Sequence, residues 1–152
     1  MRNNHASATE LDMKTIRILS TLILGGLLLA ATGCKKSDAA GGGIDGTWTG
    51  SDIADPNAKC QLTVGNGTLE FHGTNDSDSF SGTIANIYEE SKPCTLDVNL
   101  TAPPDLANKT GLFIFDRTGD DLKLAWAPLG TFRRPVDFTP SPEVRVVSLK
   151  RQ

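Results

Sequence analysis

The chain has 152 residues, with 18 acidic against 15 basic side chains, a formal net charge of −3 and 38% hydrophobic residues. That length suits one domain of ordinary size, and a mildly acidic balance without a basic stripe excludes the electrostatic footprint of a nucleic-acid binder. Two histidines and three cysteines leave little material for metal or nucleophile chemistry.

In chain order, Lys14 and Arg17 lead into Ile18 to Ala31, fourteen mostly apolar residues, and Ala31-Thr32-Gly33 then supplies small side chains that fit a peptidase cleft. This is the layout of an export signal helix. A membrane span needs about 20 consecutive apolar residues. Here Ser20, Thr21, Gly25 and Gly26 interrupt the run and Lys35-Lys36 ends it. Residues 1 to 12 sit oddly before such a signal. A start at Met13 gives a compact charged region directly abutting the apolar core, so Met13 is predicted as the true start, or the first twelve residues as a discarded extension.

Ala31-Thr32-Gly33-Cys34 resembles the lipobox of bacterial lipoproteins, with Ala31 where that family usually has Leu. The resemblance implies cleavage before Cys34, a diacylglycerol thioether on its sulfur and a fatty acid of the palmitate kind on its new amino group. One acyl chain binds a membrane marginally and two bind stably, so such an anchor is persistent. In that family Lys35, rather than Asp, after the cysteine implies an outer membrane facing the periplasm. The competing readings are an ordinary cleaved signal with Cys34 an incidental thiol, and an uncleaved anchor.

The expected organisation is a signal peptide over 1–33, a linker over 34–43 and one domain over 44–152. The mature chain carries 12 basic and 16 acidic residues, a net charge of −4. Its linker, CKKSDAAGGG, has a typical reach of about 5–6 Å times the square root of ten, which keeps the domain within roughly 20 Å of the bilayer.

From Ile44 onward the hydrophobic period is two. Cys94 to Thr101 is the clearest case, with apolar residues at even positions and polar ones at odd positions, as a half-buried antiparallel strand requires. Weaker versions occur at Ile44 to Ser51, Cys60-Leu62-Val64, Leu69-Phe71, Phe80-Gly82-Ile84, Leu122-Leu124-Trp126 and Val144-Val146. Gly111 to Phe115 is apolar on both faces, consistent with a bulge or with a strand covered outside as well as inside. Asn66-Gly67 suits a tight hairpin turn, as does Gly119-Asp120-Asp121, and Pro104 to Asn108 has room for a single helical turn. Eight short strands with hairpin links predict an all-β fold, either a sandwich or a small antiparallel up-and-down barrel, since closure removes unpaired edges.

Gly46-Thr47-Trp48 in the first strand, with Leu149-Lys150-Arg151 in the last, resembles the lipocalin pattern, which implies a tryptophan covered by a basic residue of the closing strand. Lys92 to Asp97, Gly111-Leu112-Phe113, Gly119 to Leu124, Ala127-Pro128, Arg134-Pro135 and Phe138 are similar to an uncharacterised lipocalin-like domain of planctomycete secreted proteins and lipoproteins. Ala125 stands where that family often has Cys. The resemblance implies an eight-stranded lipocalin-like barrel and no catalytic residue.

Trp48 and Arg151 are therefore expected to close the barrel, with Arg151 or Lys150 lying over the indole. Phe80, Phe113, Phe115 and Trp126 are the candidate lining of any internal ligand site. An eight-stranded barrel is just wide enough for its own side chains or one small ligand. Arg134-Pro135 is expected to pin the loop from Pro128 to Pro142 over one barrel end, as a lid if a pocket exists. Outside the cytoplasm Cys60 and Cys94 form a candidate disulfide. A strict meander places them at opposite ends, and bridging needs Cα atoms within about 7 Å. Glu70 and His72 share a strand face without a third metal ligand, and Asn75 to Asp78 reads as a polar turn. With no nucleophile or metal motif, no enzyme, cofactor or metal is expected. Two functions fit: a membrane-tethered binder of a small apolar molecule, or a structural or protein-interaction domain of the cell envelope with a filled barrel.

Overall fold

A computed structural model describes residues 42–152. The signal helix, the Met13 start, Cys34 and nearly all of the linker lie outside the described residues. A short 3-10 turn at Gly42–Ile44 leads into eight strands: β1 (Gly46–Asp52), β2 (Lys59–Gly65), β3 (Thr68–His72), β4 (Phe80–Tyr88), β5 (Cys94–Ala102), β6 (Thr110–Thr118), β7 (Asp121–Trp126) and β8 (Arg145–Arg151). Each strand pairs antiparallel with its neighbour in sequence, and β1 also pairs with β8, so the sheet is a closed up-and-down barrel. Among the described residues no helix is long and apolar enough to cross a membrane.

Local chemistry explains the path. Asn66 and Gly67 both take positive φ, 51° and 75°, which the turn joining β2 to β3 needs to match the strands' right-handed twist. Gly119 turns β6 into β7 at φ 61°. Along β5 the even positions, Cys94 to Leu100, are buried while the intervening side chains lie at least partly in water. The same alternation buries Cys60, Leu62 and Val64 on β2 and Leu69 and Phe71 on β3.

The inside of the barrel is solid. Trp48, Leu62, Val64, Leu69, Phe71, Leu96, Val98, Phe113, Phe115, Leu122, Leu124, Val147 and Leu149 are each at most 3% exposed. A cavity of ligand size would leave its lining reachable by a water-sized sphere; these residues touch one another instead. Ile44, fully buried, closes the end where the chain enters.

Beyond β7 the chain makes a long connection, residues 127–144, that runs down the outer wall. Arg134 donates to the carbonyl oxygens of Phe113 (2.6 Å) and Leu96 (3.3 Å) and pairs with Asp97 on β5. Phe138 and Val144 pack on Ile114, Ala125 and Val146, a second apolar cluster on the barrel's outside. This corrects the expectation of a lid over one end: the connection is a strap on the side. It also explains the apolar run in β6, whose inward face carries Phe113 and Phe115 and whose Ile114 is covered by the strap. In β8 the expected alternation at Val144-Val146 is out of phase with the interior, because Val146 faces the strap while Val147 and Leu149 enter the main core.

Removing the Phe113 ring is expected to cost about 3–5 kcal/mol, since its neighbours cannot collapse into the space. Thr63→Ala, on the water-facing side of β2, should stay within about 0.5 kcal/mol. Urea unfolding of Phe113→Ala and Thr63→Ala checks both, with midpoint and slope read separately.

Candidate functional site

The chemistry-bearing side chains gather at the two ends of the barrel. At the entry end, β1 and β8 pair with Trp48 opposite Arg151. The Arg151 guanidinium carbon lies 4.4 Å from the Trp48 ring centroid, and that of Arg117 lies 5.8 Å from it. The indole Nε1 donates to the Ile44 carbonyl at 2.8 Å, which ties the 3-10 turn to β1. Arg117 also donates to the Gly43 carbonyl, and the Gly43 amide donates to Glu89, which is buried. Gly46 has φ +129°, and a Cβ there would sit 2.9 Å from Arg151 Nη1, so glycine two residues before the tryptophan leaves room for the covering cation. Of the two basic residues considered for this place, Arg151 occupies it; Lys150 points outward and pairs with Asp121 at 3.2 Å.

At the far end four aromatic rings meet. Phe71 stacks on Phe80 at 5.1 Å, Phe80 on Phe113 at 5.6 Å, and Trp126 stands edge-on to Phe71 at 5.1 Å and to Phe80 at 5.6 Å. Arg145 lies over this set, 5.8 Å from Phe71 and 5.6 Å from Trp126, and is held by Asp52 at 2.9 Å and Asp78 at 3.5 Å. So Phe80, Phe113 and Trp126 contact each other. Phe115 sits deeper, opposite Cys94 and Leu124 in the sheet register. None of the four lines an open space inside the barrel, since each is at most 6% exposed.

Arg117, Arg145, Ile44 and Phe71 were not among the candidate site residues. A signal for Arg145 did exist: it lies six residues before Arg151, an even spacing that puts both on one face of a strand. A charged residue is ordinarily assigned to the solvent face, and that habit hides it.

Cys60 is a free, buried thiol at the far end, so the candidate bond to Cys94 is not made. Cys60 begins β2 at one end and Cys94 begins β5 at the other, as the meander requires. Cys94 is disulfide-bonded, and its partner is therefore not Cys60. Desolvation by burial pushes the Cys60 thiol up to about 11 from 9.0, with Asp52 adding to the rise and Arg145 and Lys59 opposing it. That thiol is a packing group at neutral pH and not a nucleophile.

Glu70 and His72 pair at 3.1 Å on the exposed face of β3. Among the described residues there is no group of three His, Cys, Asp or Glu side chains that could hold a metal ion. Among the described residues several clefts open on the surface. One, of about 280 Å³, lies between the β4–β5 turn and the strap and is lined by Lys92, Pro93, Cys94, Asp116, Val136 and Phe138. No protein-family model, no curated protein and no solved structure matches this chain.

A double-mutant cycle of Trp48→Leu and Arg151→Met is expected to give a coupling of about 0.5–2 kcal/mol in thermal unfolding. Arg151→Lys should keep part of it. At high pH the Cys60 thiol sets a second expectation. Between about 9 and about 11 the unfolded chain loses this proton and the folded one keeps it, so stability falls as pH rises, on the order of 1 kcal/mol per unit. Urea midpoints at pH 8 and 10 should show the slope, and Cys60→Ala should flatten it.

Proposed function

We propose that this chain is a lipid-anchored protein of the bacterial cell envelope whose lipocalin-like barrel is filled by its own side chains and acts as a non-enzymatic interaction domain. The observation that carries the second half is the burial of the inward positions, which leaves no room for a small apolar guest. A carrier needs an open interior; here Phe80, Phe113 and Trp126 fill it with one another's rings. The outer wall then remains as the working surface.

Support for the anchor is the resemblance of residues 31–34 to a lipobox and the short Gly-rich and Ala-rich run behind it. The second reading is an ordinary cleaved signal and a secreted form with Cys34 unacylated.

Intact mass spectrometry without reductant, on protein taken from the membrane fraction of a lipoprotein-making bacterium, distinguishes the two. The expected mass is that of residues 34–152 plus diacylglycerol and one fatty acid, with no retained small molecule under native conditions, and Cys34→Ala should leave the membrane fraction. A soluble product that lacks the diacylglycerol and fatty-acid masses would replace the anchored reading. A bound apolar mass would restore the carrier.

A further inference from the structure

We propose that the entry end of the barrel lies against the bilayer, with Tyr88, Lys92 and Val136 in contact with the lipid interface; this rests on the anchored reading. Of the exposed large hydrophobics Ile53, Phe132, Tyr88 and Val136, Val136 is the most exposed at 84% and Tyr88 is 52% exposed. Both sit where the chain enters. Tyr88 is followed by Glu89, whose carboxylate accepts from the Gly43 amide. Val136 and Cys94 line the same cleft, the one between the β4–β5 turn and the strap.

The length of chain before Gly43 selects the occupant. Eight residues separate the lipid-bearing Cys34 from Gly43, a reach of under about 20 Å, so this end is held at the membrane whatever the other end does. Within that reach the local concentration of lipid is high, and contacts too weak to bind a free protein suffice to orient a tethered one. Tyrosine is at home at the headgroup level, and the Lys92 stem can lie along apolar surface while its ammonium reaches water. Of the acidic groups nearby, Glu89 accepts from the Gly43 amide, Asp120 faces Arg151 at 3.9 Å and Asp121 pairs with Lys150, while Asp116 and Asp137 line the cleft beside Val136 and are exposed. Glu90 is exposed beside Lys92, so the contact is one of apolar and interfacial side chains and not of net charge. Ile53, also exposed, is at the opposite end and is left in water by this orientation.

The test uses the full acylated chain in vesicles of phosphatidylethanolamine and phosphatidylglycerol, with an environment-sensitive fluorophore on Val136→Cys, on Tyr88→Cys and, as the far-end control, on Asn57→Cys. Cys34 carries the lipid and Cys60 and Cys94 are both buried, so the introduced thiol takes the label. The expected result is a blue-shifted emission at 136 and 88 that is quenched by spin-labelled lipid, with neither effect at 57. Vesicle-bound protein with equal quenching at all three sites, or none, overturns the orientation while leaving the anchor standing. A blue shift at 136 without lipid quenching also overturns it, and assigns the cleft to protein, either a partner or the chain's own residues 35–41. Protein that never enters the vesicles overturns both readings together.

Discussion

Everything in this barrel depends on the first strand meeting the last. An eight-stranded sheet that failed to close would present two rows of unpaired backbone amides and carbonyls to other chains. Here β1 and β8 pair from Trp48 and Arg151 at one end to Asp52 and Val147 at the other, and the terminal Gln152 amide still donates to the Thr47 carbonyl. Trp48 couples this seam to two further elements. Its ring is flanked by Arg151 of β8 and Arg117 of β6, and its Nε1–H holds the entering turn. One fully buried side chain thus joins the closing strand, a strand across the barrel and the plug beneath them.

Closure at this size dictates the interior. Eight strands enclose space for side chains and little more, and strands of five to nine residues make the enclosed column short. With about 110 residues to stabilise, leaving that column empty would forfeit much of the available core. The sequence fills it with four contacting aromatic rings at one end and a tryptophan at the other. An arginine on β8 lies over each aromatic group, Arg145 at one end and Arg151 at the other. These guanidiniums are partly in water, so the rings gain a cation without either charge being fully desolvated.

The fold was legible because strand alternation and turn chemistry are local. Cys94 to Thr101 states its inward face residue by residue, and Asn66-Gly67 states a turn by the φ values it tolerates. What stayed hidden depends on contacts distant in sequence. Ile114 and Val146 look like interior residues and are, but the interior of a second, outer cluster made when Phe138 comes back along the wall. Arg117 and Arg145 look like solvent residues, and the rings they lie over, with Asp52 and Asp78 beside Arg145 and the Gly43 carbonyl beside Arg117, make their inward positions tolerable. The strap was expected over an end because Arg134-Pro135 says that a loop is pinned without saying to what; its target is a pair of carbonyls on β5 and β6. The anchor is a different case, because it rests on residues 31–34, where the warrant is a motif and no packing argument applies.

In the proposed reading, a barrel that spends its interior on its own stability acts through its outer surface and through where it is held. The surface is not uniform. Across β2 and β3 the outward residues are Gln61, Thr63, Glu70 and His72, all in water, whereas on β6, β7 and β8 the strap covers Ile114, Ala125 and Val146. A strap fastened by Arg134 at mid-strand and by Phe138 on apolar side chains is a fixed part of the wall, so its exposed Val136 is presented in a defined place and not on a free loop. Fixed presentation is what makes a single small side chain useful, since no ordering entropy is lost when it meets a surface. In the proposed anchored state that surface is already within reach of the linker, and the polar β2–β3 face then stands off the membrane, where an envelope partner would find it.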